Sequence, residues 1–381
     1  MKQLTLLPEM IALPSVFAVE DRYVIFIPFS AEVIMRVRVG DRLFYDDCNG
    51  VMRSRSNMHR VEIPMSVLDE AGSYTVLYNK MIERSPYYPT SEPEQSLTVP
   101  FCPLPKQGDL RIYHIADAHN MVKEPIAAAS YFAARGEQMD LLVLNGDIPN
   151  HSGNIKNFDA ICEITGAVTG GQIPAVFARG NHDCRGIHAE DMPAYIPVRN
   201  GKTYFTFRLG RLWGMVLDCG EDKRDGCREY GGTVCFHEFR LAQTDYIRSV
   251  IARSACEYEA PGVEYRVVIS HIPFTQTFPA PFDIEHDLYR EWAALLGAHV
   301  KPHLMLHGHK HRIEVIRPGD EQYHLGLPCP SIIGSRPTFA DEEHPNWEFE
   351  GCALTLSGSV AHVVFNNDRG EIVGQEDVNI G

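Results

Sequence analysis

Five apolar runs in this chain stop in the same abrupt way, and that constrains the fold more than any other feature. "LRIYHIA" gives way to Asp117, Ala118 and His119, and "LLVLN" to Gly146 and Asp147. "PAVFAR" is followed by Gly180, Asn181, His182 and Asp183, "YRVVIS" by His271, and "LML" by His307, Gly308, His309 and His311. Short apolar runs bounded by turn residues read as buried strands. In open α/β sheets, ligands sit in the crevice beyond the carboxyl ends of such strands. Five strands that deliver carboxylates, imidazoles and an amide to one rim therefore predict a metal site.

The intervening sequence sets the fold class. Helical stretches are expected at 124–138, about 154–168, 239–253 and 285–297, between strands at 203–209, 212–218, 265–270, 303–307 and 351–365, the last a hairpin around Gly358. Strands alternating with helices give a layered α/β domain. The later part carries more consecutive strands than helices, which fits a two-sheet β-sandwich flanked by helices better than one doubly wound sheet. Residues 1–105 differ in texture. "RYVIFIPF" and "EVIMRVRV" are β-branched and aromatic, with turn signals at Gly40-Asp41 and Asn49-Gly50. The stretch "LDEAGSYTVLY" (68–78) is similar to the turn-and-strand segment of immunoglobulin- and fibronectin-like sandwiches, in which a Tyr, here Tyr74, fixes a corner by bonding back to the main chain. "SPYYPTSEPEQS" and "PFCPLPKQGD" read as an extended loop and a linker. Two domains are expected: an all-β unit over 1–105 and the α/β unit over 106–381.

Charge and cysteine content narrow the partners. A net charge of −15 over 381 residues gives no general basic face, so stable binding to nucleic acid or anionic membranes is not expected, although a local basic pocket is compatible with it. No apolar stretch approaches the ~20 residues that cross a bilayer. The N-terminus is interrupted by Pro8, Glu9 and Pro14 and makes a poor signal peptide. The ten cysteines form no CxxC pair and are expected to be reduced, many of them buried, which favours a cytoplasmic location.

Singly, each polar motif is weak; the order D-x-H, G-D, G-N-H-D, H, G-H-x-H, each closing an apolar strand, is not. Residues 110 to about 320 resemble the calcineurin-like metallophosphoesterase family, whose fold is a double β-sandwich flanked by helices. The N-terminal unit lies outside that resemblance. A β-rich domain beside the catalytic one is similar to purple acid phosphatases, but those carry a Tyr three residues after the second-motif Asp. Here Asn150 stands in that place and His119 is present, so no tyrosinate ligand is expected. The resemblance implies a dinuclear centre, with Asp117, His119, Asp147 and His311 on one metal. Asp147, Asn181, His271 and His309 would hold the other, Asp147 bridging. Mixed imidazole and carboxylate ligands suit Mn, Fe, Zn, Ni or Co more than Mg or Ca. The implied activity is hydrolysis of a small phosphorylated substrate, a phosphate mono- or diester, by a hydroxide shared between the metals. His182 would stand beside the phosphate and assist the leaving group. Asp183 would orient His182 and raise its pKa, or cap the following turn, or both. Three other readings compete: a non-catalytic metal-binding scaffold whose β domain engages a partner, a purple-acid-phosphatase-like phosphomonoesterase, and a binuclear hydrolase of another ester.

Several neighbouring residues carry expectations of their own. Gly308 leaves room for His309 and His311 to reach different metals from one turn, and Lys310 points to solvent. His307 is either a hydrogen-bond partner of a ligand or a buried strand-end histidine with a backbone partner. For Arg179, solvent exposure or an ion pair is favoured over phosphate contact. The loop 217–236 is read as substrate-facing, with Arg228 and Tyr230 as candidate contacts. Cys184 is expected to be a small buried side chain. Arg336, in the loop 333–349, is a weaker candidate for anion recognition.

Overall fold

A computed structural model describes residues 2–321, 323–337 and 348–381. Its largest sheet has nine strands, in the order Ile372–Asn379, Val360–Asn367, Glu350–Ser357, Leu110–Ile115, Leu141–Asn145, Ala175–Ala178, Ser15–Val19, Arg22–Pro28 and Met58–Pro64. The strands from Leu110 to Ala178 pair in parallel, Ser15–Val19 joins them in parallel, and antiparallel strands continue the sheet on both sides. A second sheet of six strands runs Phe205–Leu209, Leu212–Val216, Tyr265–Ile269, Leu304–His307, Ser331–Ser335 and Arg312–Ile316, parallel across its middle. This is the two-sheet α/β architecture that the sequence predicts.

Period-two alternation explains how the layers stack. Leu212 and Val216, with Val267, Ile269, Leu304 and Leu306, face the nine-stranded sheet and share its core with Ile112, Leu142 and Phe177. Their neighbours Trp213, Met215, Val268 and Met305 face the other way. They pack on the helices Phe236–Ile251 and His286–Leu295 through Ile247, Val250, Leu288 and Trp292. Strands buried on both faces must be apolar at every position, which is why these runs are continuous.

Helix 124–138 is shorter than expected. The α-helix covers Lys123–Ala128 and gives way to two single 3-10 turns, the second closed by Gly136. The other three helices form where expected, within a few residues.

The N-terminal stretch is β-rich but does not stand apart. Val33–Val39, Arg42–Tyr45, Ser73–Glu83 and Gln95–Pro100, with Thr90–Ser91 paired on Ser73–Glu83, form their own five-stranded sheet, with one short helix at Met65–Ala71. Ser15–Val19, Arg22–Pro28 and Met58–Pro64, however, belong to the nine-stranded sheet, joined through Phe17 opposite Ala175. The sheet thus runs continuously across residue 105. Tyr74 corrects another expectation. Its hydroxyl donates to the carbonyl of Gly171 at 2.9 Å, so it ties the small sheet to the loop after Asp159–Thr169 instead of closing a local corner. Among the described residues no helix is long and apolar enough to cross a membrane. All ten cysteines are free thiols, with Cys162, Cys219, Cys329 and Cys352 buried.

Candidate metal centre

The strand ends turn sharply, and the turns are strained. Asp117, His119, Asp147, His309 and His311 all lie in the left-handed region, with φ from +46° to +71°. A β-carbon opposes that conformation by roughly 1–2 kcal/mol per residue. Five such residues on one rim persist only because the surrounding structure over-determines them, as happens at ligand sites. Gly308 shows how the turns fit together: a β-carbon there would lie 2.5 Å from Ala116 Cβ and 2.8 Å from Asp117 Oδ2. Its absence lets the His309 amide donate to the Asp117 carboxylate at 3.0–3.1 Å.

The side chains converge on two adjacent foci. At the first, His119 Nε2 faces His311 Nε2 at 3.1 Å, with Asp117 Oδ1 3.5 Å from His311 and 4.0 Å from His119. His119 Nδ1 lies 3.1 Å from Asn150 Oδ1. As an amide oxygen only accepts, Nδ1 is the protonated nitrogen and the Nε2 lone pair points at the focus. At the second focus, His271 Nε2 lies 3.1 Å from Asp147 Oδ2 and 3.7 Å from Asp117 Oδ1, while His309 Nδ1 meets Asn181 Oδ1 at 3.0 Å. His271 Nδ1 donates to the carbonyl of Asn145 at 2.6 Å. Its Nε2 is buried and makes no well-aligned hydrogen bond. Asp147 and His119 also group with His182, their ligand atoms within 4.8 Å of one another. Opposed imidazole nitrogens, a misaligned buried Nε2 and two carboxylates aimed between them fit bound cations better than they fit one another.

The electrostatics agree with that fit. Burial holds His119 and His309 down to about 4, so both are neutral and offer lone pairs. Burial also opposes charge on His271, but Asp147 and Asp117 outweigh it and push the ring up to about 10. Burial works against ionising the two carboxylates as well, yet His271 and the neighbouring histidines hold both below the usual carboxylate range. The protonated ring of His271 thus stands in the place where a cation would balance the two acids.

Around the foci some expectations need correction. Asp183 makes no hydrogen bond to His182; its Oδ2 accepts from the amides of Gly180 at 2.7 Å and Asp147 at 3.2 Å. It therefore pins the two turns together, and burial with the Asp147 charge pushes it up to about 8. The His182 ring is oriented instead by the Asn150 carbonyl, 2.9 Å from Nδ1, and Arg185 Nη1 lies 3.1 Å from Nε2. Lys310 does not point to solvent: its ammonium is largely buried, 3.2 Å from Glu314. His307 takes a backbone partner, the Ser270 carbonyl at 2.9 Å. Arg179 is ion-paired with buried Asp218 at 2.7 Å. Tyr230 Oη lies about the carboxylates of Glu221 and Asp222, at 3.1 and 3.0 Å, whereas Arg228 is exposed. Cys184 is half-buried, and Arg336 pairs with Glu350 at 2.6 Å. Residues 338–347 of the loop 333–349 lie outside the described residues.

Sequence reasoning missed Arg185, which Glu221 grips through two hydrogen bonds of 2.7 and 2.8 Å. It missed Asn145 and Asn150 as well, which set the tautomers of His271 and His119. Only Asn150 carried a signal, since it occupies the position of the absent tyrosine.

Two stacked sheets, with strained strand ends converging on buried imidazoles and carboxylates, define a metal-binding α/β protein of the phosphoesterase type. The chain belongs to the calcineurin-like phosphoesterase family, whose family model matches residues 110–312. Among solved structures, it is similar to purple acid phosphatase PPD1 from yellow lupin (Lupinus luteus) seeds, with TM-score 0.61 and 14% identity over 96% of this chain and 74% of that one. It is also similar to PhoD, with TM-score 0.58 and 12% identity over 100% and 90% of the two chains. At such identities these likenesses concern the fold. A probable cyclic nucleotide phosphodiesterase of Fibrobacter succinogenes (strain ATCC 19169 / S85) is 27% identical over 120 residues, which are 30% of this chain and 45% of that relative. The match thus spans less than half of the relative's length.

Proposed function

We propose that the protein is a metal-dependent hydrolase of phosphate mono- or diesters, with two metals held on the rim. Asp117, His119, Asp147 and His311 would hold one; Asp147, Asn181, His271 and His309 the other. Mn, Fe, Zn or Ni suits these mixed ligands. Cations bound there supply neutralisation of the phosphoryl oxygens and an activated water, whose pKa falls from 15.7 to around 7. The observation that carries the reading is the opposition of His119 and His311 at 3.1 Å beside Asp117, next to the Asp147–His271 pair at 3.1 Å.

The chain's own side chains do the rest. Asn150 holds His182 by Nδ1, so Nε2 is the ring atom that takes up a proton and delivers it to the departing alcohol oxygen. Arg185, clamped by Glu221, brings a fixed positive charge beside that atom, where phosphoryl oxygens gather charge. Asp183 is a positioning residue: by tying the amides of Gly180 and Asp147 it keeps the second and third motifs in register.

Turnover of p-nitrophenyl phosphate and bis-p-nitrophenyl phosphate with added Mn, compared with Asp147→Asn, tests the proposal. The expected result is turnover by the wild type and a loss in the variant of at least about 100-fold, the scale on which removing metal-site groups acts. A wild type that binds metal but turns over neither ester would favour the scaffold reading or a hydrolase of another, non-phosphate ester.

A further inference from the structure

A cleft begins at Arg185, beside His182. It holds about 580 Å³ of open space, within the range of small-molecule sites. One wall carries Arg185, Ile187 and Glu190, from the chain that follows the G-N-H-D turn. The other carries Glu221, Glu229 and Val234, from the long polar loop 217–236. Arg185 joins the cleft to the candidate metal centre. Its Nη1 lies 3.1 Å from His182 Nε2, and His182 groups with His119 and Asp147, their ligand atoms within 4.8 Å of one another. An ester whose departing oxygen meets His182 Nε2 has this cleft as the adjoining space for its alcohol portion.

The charge on the walls changes from the inner end to the mouth. At the inner end Arg185 is clamped by buried Glu221 at 2.7 Å, so that pair is balanced. Towards solvent, exposed Glu229 is shared with Lys223 at 2.8 Å. Glu190 is also exposed, and it pairs with no cation among the described residues. Among those residues Arg185 is the one guanidinium or ammonium that lines the cleft. A second anionic group on the substrate would thus meet carboxylates with no free cation to answer them, whereas an ammonium is attracted to Glu190. Between the charges Ile187, 73% exposed, and half-buried Val234 offer apolar surface to alkyl carbons.

Resting on the phosphoesterase reading above, we infer that this cleft is the leaving-group subsite and selects small phosphate esters of cationic amino alcohols over uncharged and anionic ones. Water supplies the oxygen that replaces the alcohol on phosphorus, the bond from phosphorus to the alcohol oxygen breaks, and His182 Nε2 gives that oxygen its proton. A proton from the water restores His182. The phosphoryl end lies by Arg185, the alkyl carbons along Ile187 and Val234, and the ammonium by Glu190, so the cleft matches the charges of the ester from end to end.

The test is a charge series measured with the Mn-loaded full chain: phosphocholine, its uncharged carbon isostere neohexyl phosphate, and anionic phosphoglycolate, with p-nitrophenyl phosphate as the reference ester. The expected kcat/KM falls in that order, with phosphocholine ahead of its isostere by about 5-fold, the scale of a solvent-exposed ion pair. Glu190→Gln should remove most of that preference, and Glu190→Lys should place phosphoglycolate ahead of phosphocholine. Val234→Trp, which fills the cleft, should raise KM for phosphocholine more than for methyl phosphate, by about 10-fold. No preference for phosphocholine, a preference that both Glu190 variants leave unchanged, or equal rises in KM in Val234→Trp would overturn the subsite and leave the phosphoesterase reading standing. So would turnover of p-nitrophenyl phosphate with none of the series. No turnover of any of these esters with Mn bound would overturn both.

Discussion

The backbone conformation at the strand ends gives single residues their leverage. Gly308 is the sharpest case, because no rotamer can relieve a β-carbon placed 2.5 Å from Ala116 Cβ. Gly308→Ala should displace the turn that carries His309 and His311, at a cost of about 1–3 kcal/mol, the range for overpacking. Titration with Mn, followed by calorimetry, should show weakened metal binding together with the lower stability. Unchanged affinity would mean that the turn is not what sets the ligands. Much of this was legible from the residues: the motif side chains come together beyond their strand ends, and the glycine makes the close approach that its place in the turn suggested. The partners of His182 were not legible. Arg185 follows the G-N-H-D motif by two residues, but Glu221, which grips it, lies 36 residues on, in a loop whose path the sequence does not reveal. Asp183 was misread for a related reason. It was expected to serve its neighbour's ring, to cap the turn that follows, or both, whereas its carboxylate accepts from the amides of Gly180 and Asp147, which precede it.

At the scale of elements, the parallel strands announced themselves because burial on both faces demands continuous apolar runs. Ser15–Val19 is fully buried as well, but its partner is not encoded locally. A run such as "SVFAV" reads the same whichever sheet it joins, and here it crosses from the N-terminal stretch to pair beside Ala175. The 3-10 turns after Ala128 were similarly hidden, since alanine-rich sequence favours helix until packing interrupts it. The Tyr74–Gly171 bond is the element-level link that can be tested. Tyr74→Phe should destabilise the protein by about 1 kcal/mol, the net worth of one hydrogen bond plus an unpaired carbonyl, measured by urea unfolding. Since the link lies away from the rim, metal affinity should stay the same. A large loss of metal binding in this variant would show that the small sheet shapes the site.

For the whole molecule, the buried imidazoles make stability depend on pH. His114 lies between the sheets, its Nε2 3.1 Å from Asn145 Nδ2, and burial, with His307 adding, lowers its pKa to about 3. In the unfolded chain it would titrate near 6.5. Between those values the unfolded state takes a proton that the folded state refuses, so stability is lost as pH falls from 6.5 towards 3. The slope from this one group is at most about 1.4 kcal/mol per pH unit. In chelator, His114→Asn should be less stable at neutral pH but should lose stability less steeply on acidification. Parallel curves for the two proteins would mean that His114 is not held neutral. The acidic balance of the chain fits the same picture: a net charge of −15 adds to the cost of the buried, ionised Asp117 and Asp147 at the rim, and cations there would relieve it.

The most direct measurement of the central claim is anomalous diffraction from crystals grown with Mn. The account predicts two peaks on the rim, one among Asp117, His119 and His311 and one among Asn181, His271 and His309, with Asp147 between them. Peaks elsewhere, or none while these side chains hold the positions described, would contradict it.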